Sequence, residues 1–180
     1  MNWIDCHCHS HGSTLDGYGT AKQHVQRVLE LGQPAIALTD HGTISQHYEF
    51  QKQALKSGLR PCLGVEFYLA DDVTQLGKQK GGDRRQGEQR AARYAHITAI
   101  AQSQRGYQNL LKLVSLSHNH VYYKPQVDPW LIAEHGTEIA WLSGCVIGRP
   151  SQLINAGDLE TAAAWLEFMR DHLEVFYAEI

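Results

Sequence analysis

Trp3-Ile4-Asp5-Cys6-His7-Cys8-His9-Ser10-His11 is the stretch from which the rest of the chain is read. In an extended segment alternate side chains share a face. His7 and His9 therefore point together, with Cys6 and Cys8 on the opposite side. Two imidazoles one pleat apart can share a metal ion, and imidazole suits zinc, copper, iron and nickel. The expectation is a short first strand that delivers two ligands. A histidine-rich terminus or tag remnant is the plainer reading, and the later stretches count against it.

The totals set bounds around this segment. The chain has 180 residues, enough for one domain with its own core. Its hydrophobic fraction of 43% is ordinary for a globular protein. No apolar run is long enough for a transmembrane helix, and the polar start does not read as a signal peptide. The four cysteines, Cys6, Cys8, Cys62 and Cys145, then read as reduced thiols in a cytoplasmic protein. A net charge of −3 excludes a global positive field, so contact with nucleic acid needs a local patch. Eleven histidines favour metal binding. Of these, His24, His47, His135 and His172 read as surface residues in helix-like or turn-like segments.

Helical and strand signals alternate along the chain. Thr20 and Gln23 form a capping-box signature ahead of a helix that Gly32 stops. Residues 35–39 read as a buried strand ending in Asp40-His41-Gly42, and 45–57 as the next helix. In the strand expected over 62–69, Leu63, Val65, Phe67 and Leu69 share one face, while Glu66 and Tyr68 take the other. Further strands are expected at 96–101, 139–143 and 175–180, with helices over 106–116, after the Asp128-Pro129 cap, and after Asp158. Residues 119–127 read as a loop. Residues 71–93 lack a period and carry Lys78, Lys80, Arg84, Arg85, Arg90 and Arg93. They read as an exposed basic loop, either a solvated insertion or an arm for nucleic-acid backbone. The alternation argues for an α/β fold with a parallel sheet, as a barrel or an open sheet, with its site at the carboxyl ends of the strands.

His7, His9, Asp16, His41, Glu66, His96 and Cys145 are the candidate ligands. They come from different segments, so only a sheet or barrel can gather them. Imidazole, carboxylate and thiolate together favour zinc or another first-row ion. A carboxylate such as Glu66 can bridge two ions about 3.5–4 Å apart, which clamp the attacking and leaving oxygens of a phosphate. Zinc lowers the pKa of its water to about 7, so no separate general base is required. No nucleophile elbow, P-loop or dinucleotide fingerprint is present.

Several blocks carry a family resemblance: His7-Cys8-His9-Ser10 with Leu15-Asp16-Gly17, then Ala37-Leu38-Thr39-Asp40-His41-Gly42, then Gly64-Val65-Glu66-Phe67-Tyr68. Together they resemble the PHP (polymerase and histidinol phosphatase) superfamily. The 106–115 block, Tyr122-Tyr123-Lys124-Pro125 and Ser143-Gly144-Cys145 are similar to the branch found at the N-termini of bacterial replicative DNA polymerase III alpha subunits. That resemblance implies a distorted (β/α)7-type barrel with up to three ions, zinc or alternatively manganese or iron(II). It implies His7, His9 and Glu66 at one ion, Glu66, His96 and Cys145 at a second, and Asp16 and His41 at the third. His7, His9 and Glu66 would be catalytic through the acidified water, and Lys124, Arg149, Arg84 and Arg85 would contact phosphate. It implies a metal-dependent phosphoesterase acting as a 3′–5′ exonuclease on DNA in some members. In others the domain is an inactive scaffold for the polymerase. The implied partners are DNA and the rest of the alpha subunit or another replisome protein.

The departures matter. The family's barrel ends in a further strand bearing an Asp and a His ligand, and nothing through Ile180 supplies them. The expectation is therefore about six of seven strands, a PHP domain fragment over 1–180. Arg149 stands where many members carry an acid. A histidinol-phosphatase-like activity on a small molecule is disfavoured by the 106–115 and 122–125 blocks, and polymerisation is beyond this length.

Overall fold

The computed structural model describes residues 3–76 and 94–179. Its elements are α1 (Ala21–Glu30), β1 (Ala35–Leu38), α2 (His47–Lys56), β2 (Arg60–Leu69), β3 (Ala95–Ala101), α3 (Gln104–Ser117), β4 (Val121–Tyr122), β5 (Lys124–Val127), α4 (Pro129–His135), β6 (Ile139–Leu142), α5 (Arg149–Asn155), α6 (Leu159–His172) and β7 (Val175–Tyr177). The class is α/β, as expected. The local signals explain the starts: Thr20 and Gln23 complete a capping box on α1, and Asp128 caps α4 with Pro129 in its first turn.

Strand order is β4-β5-β2-β3-β6-β7, with β1 also on β2. β1 pairs with Arg60 to Leu63, and a further bridge joins His41 to Glu66. β5 takes over the same edge at Tyr68 and Leu69, while β3 occupies the other edge. The sheet is not all parallel. β3 runs antiparallel to both β2 and β6, whereas β1, β5 and β7 run parallel to their main partners. This corrects the expectation of a parallel sheet. It also places the start of β3 beside the ends of β2 and β6.

Three further expectations are corrected, and one element is added. Residues 3–10 are not a strand: their backbone bonds to β1 and the residue after it are two, the Asp5 and Cys8 carbonyls accepting from Ala37 N (3.1 Å) and Thr39 N (2.9 Å), too few for a ladder. Residues 119–127 hold the hairpin β4–β5, turned at Tyr123 with φ of 63°. α5 carries no strong apolar stripe and was not expected. His47 is not a surface residue; it is buried, 2.9 Å from the Gly64 carbonyl through Nε2. Of the expected exposed loop 71–93, Val73–Gln75 form a 3-10 turn with Val73 buried, and 77–93 lie outside the described residues.

Two apolar clusters hold the layers. Val65, Phe67 and Leu69 of β2, with Ile97 and Ala99 of β3 and Trp141 of β6, pack under Leu110 and Leu113 of α3, Ile132 of α4 and Met169 of α6. Val25, Val28, Ile36, Leu38, Phe50 and Ala54 form a second cluster among α1, β1 and α2. The side-chain period of two then forces Glu66, Tyr68, His96 and Thr98 onto the opposite, enclosed face, where all are buried.

Candidate metal centre

Glu66 is the hub. It lies on β2 opposite Thr98, one pleat from His96, and is 1% exposed. Its Oε2 is 3.2 Å from His7 Nε2, 3.0 Å from His9 Nε2 and 2.9 Å from His41 Nδ1. Its Oε1 is 2.9 Å from His96 Nδ1 and 3.8 Å from Cys145 Sγ. Asp16 reaches in from the glycine-rich loop, with Oδ2 2.7 Å from His41 Nε2 and 4.0 Å from His9 Nε2. The residues singled out in the sequence as ligands thus meet in one pocket. His7 and His9 do point together, with Nε2 atoms 3.1 Å apart, although the segment is no strand. Cys8 faces away, 3.5 Å from His24 Nδ1.

Backbone topology explains the meeting. β1, β2, β6 and β7 all run toward this end, delivering His41, Glu66, Cys145 and Glu179 from their ends or just beyond. β3 runs away from it, so its second residue, His96, arrives there. Gly144 lets the chain turn after β6: its φ is +90°, and a Cβ would sit 2.3 Å from the His96 carbonyl oxygen.

Residues that sequence reading missed support the site from below. Asp40 is buried and accepts from Ser10 N (2.7 Å), Ser10 Oγ (2.7 Å) and Ser13 Oγ (2.8 Å). Ser13 Oγ lies 3.0 Å from His9 Nδ1 and accepts from His41 N, tying two ligand-bearing segments together. Asp40 precedes His41 directly, and that adjacency was the available signal. Glu179 Oε1 sits 2.5 Å from His7 Nδ1, and no local pattern marked it. Tyr68 stacks on His41 with ring centroids 5.4 Å apart, and Lys124 Nζ lies 5.4 Å from the centroid of the Tyr68 ring. Arg149 is instead engaged by Asp71. Arg84 and Arg85 lie outside the described residues.

Charge is concentrated here. Burial alone would raise the Glu66 carboxyl, but His41, His7, His9 and His96 outweigh it and hold it far below the carboxylate range. Burial works against a proton on His7, yet Glu179 and Glu66 push its pKa up to about 10. His41 moves up for the same reason, with burial opposed by Glu66 and Asp16. Burial raises the Cys145 thiol. Among the described residues, three groups could each hold an ion: His7, His9 and Glu66; His9, Asp16 and His41; His41, Glu66 and His96. The donor atoms fit such a use. Glu66 Oε2 and His41 Nδ1 are buried, close, and make no directional hydrogen bond. Buried polar atoms are otherwise almost always bonded.

Fold and site define the class, and comparison with known proteins agrees. The PHP domain family model matches residues 5–180, and the chain belongs to that family. Among curated relatives, the DNA polymerase III subunit alpha of Chlamydia trachomatis is 33% identical over the whole of this chain and 14% of its own length. That of Treponema pallidum is 34% identical over 87% of this chain and 13% of its own, and that of Thermus aquaticus 34% over 92% and 13%. The chain is thus homologous to about a seventh of those subunits. Among solved structures, an amidohydrolase from Chromobacterium violaceum aligns at 22% identity and a TM-score of 0.44, over 66% of this chain and 34% of its own. A candidate metal-dependent phosphoesterase from Bifidobacterium adolescentis aligns at 20% and 0.43, over 91% and 54%.

Proposed function

We propose that this chain binds divalent metal at the Glu66 cluster and hydrolyses phosphodiester bonds there, shortening DNA from 3′ ends within a cytoplasmic DNA polymerase III alpha subunit. The observation that carries the reading is Glu66 Oε2, a buried carboxylate oxygen with three imidazole nitrogens within 2.9–3.2 Å and no directional hydrogen bond. The polymerase context rests on the relatives of which the chain matches a seventh.

His7, His9 and Glu66 would hold one ion, and Glu66, His41 and His96, with Cys145 adjacent, a second. Asp16 with His9 and His41 would hold a third. The mixed imidazole, carboxylate and thiol set fits zinc, with manganese or iron(II) as alternatives. A bound ion supplies positive charge for the phosphate and lowers the pKa of water to about 7. The chain supplies the rest. Glu66 presents both oxygens to separate ligand groups, which suits a bridging carboxylate. Ser13 and Asp40 keep the His9 and His41 segments in register. Lys124, beside Tyr68, offers a cation to a phosphate at the mouth. The alternative is a scaffold for the polymerase, in which the ions would act as structural ties.

Metal analysis of the purified chain, with release of nucleotides from 3′-labelled DNA, tests this. At least one ion per chain is expected, with release abolished in His7→Ala and Glu66→Ala. Fewer than one ion per chain, or equal release by wild type and both variants, overturns the enzyme reading. Metal uptake without any release leaves the scaffold.

A further inference from the structure

His7 has an acid on each side of its ring. Nε2 faces Glu66 Oε2 at 3.2 Å and His9 Nε2 at 3.1 Å, whereas Nδ1 faces Glu179 Oε1 at 2.5 Å. Thr98 Oγ1 is the other polar neighbour of Nδ1, at 3.5 Å. Glu179 belongs to none of the three ligand groups, because it lies on the far side of the ring from them. It is not a stray surface acid. Its side chain is only 17% exposed, its Oε2 is buried without a hydrogen-bond partner, and its backbone N donates to Ser143 Oγ at 2.9 Å. Ser143 N in turn donates to the Tyr177 carbonyl, so the end of β7 is pinned to the end of β6.

We propose that Glu179 is a positioning residue for the metal centre: it accepts the Nδ1 proton of His7 and so holds Nε2 free and aimed at the ion. The inference rests on the metal reading above. The physical reason is the two-sidedness of imidazole. A neutral ring carries one proton, and a carboxylate on Nδ1 fixes it there, orients the ring and makes Nε2 a better donor. Such outer partners are worth about 10–100-fold in metal affinity. The placement also has a structural consequence. Residues 3–10 lie beside β1 and Glu179 follows β7, so this contact ties the segment before α1 to the end of β7.

The test uses the whole chain, with zinc affinity measured against a competing chelator. In parallel, ¹H–¹⁵N spectra of the zinc-loaded protein report which His7 nitrogen carries the proton, assigned by loss of the signal in His7→Gln. Glu179→Ala is expected to weaken zinc binding by about 10–100-fold and to lose the protected Nδ1 proton. Glu179→Gln, whose amide oxygen still accepts, is expected to keep that proton and to recover part of the affinity. Wild-type uptake with equal affinity and an unchanged Nδ1 signal in Glu179→Ala overturns the role of Glu179 alone. Should the wild type take up no zinc, the metal reading falls, and this proposal with it.

Discussion

A carboxylate surrounded by imidazoles changes what each of them does. Glu66 has nitrogens of His7, His9, His41 and His96 within 2.9–3.2 Å of its oxygens, and its charge raises the pKa of His7 and His41. Glu66→Gln keeps the shape and removes the charge. Because Glu66 helps raise both His7 and His41, the variant is expected to lower both pKa values toward the ordinary 6.5, followed by NMR titration of the metal-free chain. His7 should fall only part of the way, since Glu179 remains. Zinc affinity should fall by more than the roughly 10–100-fold that an outer partner costs. Unmoved histidine titrations in Glu66→Gln would mean the contacts do not persist in solution. Legibility at this scale was uneven. His7 and His9 could be read from parity because alternation needs only an extended backbone, hydrogen-bonded in a ladder or not. His47 could not, because a helical register does not say what packs above it. Burial lowers its pKa, and the Gly64 carbonyl holds it as a structural residue.

At the scale of elements, Asp128 does more than the cap its sequence context announced. Oδ1 accepts from Leu131 N at 2.8 Å, and Oδ2 accepts from Val73 N at 3.0 Å. The first bond starts α4; the second ties the 3-10 turn Val73–Gln75 to it. Loss of a cap costs about 1 kcal/mol, and a buried N–H left without a partner about 1–3 kcal/mol. Asp128→Ala is therefore expected to destabilise the chain by about 2–4 kcal/mol in urea unfolding, adding these two costs. Asp128→Ser keeps the cap and loses the tie, so it should fall between. Equal midpoints for the two variants would show that the cap contributes nothing, and a wild-type midpoint in Asp128→Ser would show the same of the Val73 bond. The cap was legible because Asp-Pro ahead of an apolar turn is a local signal. The tie was not, because its partner lies 55 residues away in sequence.

For the molecule as a whole, the clustered charges couple folding to pH and to metal. His7 keeps its proton up to about 10 when folded, against an ordinary 6.5. Its contribution to stability is complete below pH 6.5 and is lost as the pH rises toward 10. His41 acts in the same sense. Glu66, held low, contributes above the ordinary 4.5 and loses that contribution as the pH falls. Metal-free protein should thus melt highest between about pH 5 and 6.5 and lower at pH 8.5. An ion competes with protons for the same lone pairs, so its stabilisation grows with pH. Melts with chelator and with saturating zinc, at pH 5.5, 7 and 8.5, should diverge as pH rises. A metal-free melting temperature that climbs over that range would contradict the cluster's electrostatics.

Sequence alone determined what depends on near neighbours. It established the alternation that puts Val65, Phe67 and Leu69 under the helices and Glu66 and Tyr68 inside, the caps that begin α1 and α4, and the shared direction of His7 and His9. The candidate ligands were read from the residues themselves, and the family resemblance supplied their expected grouping by ion. Only the tertiary structure decided that β3 runs antiparallel, so that His96 at its start meets Glu66. Only it placed Asp40 under the His9 and His41 segments and brought Glu179 to His7. Strand direction and long-range pairing are chosen by which buried faces fit together, and no short window of residues contains that information.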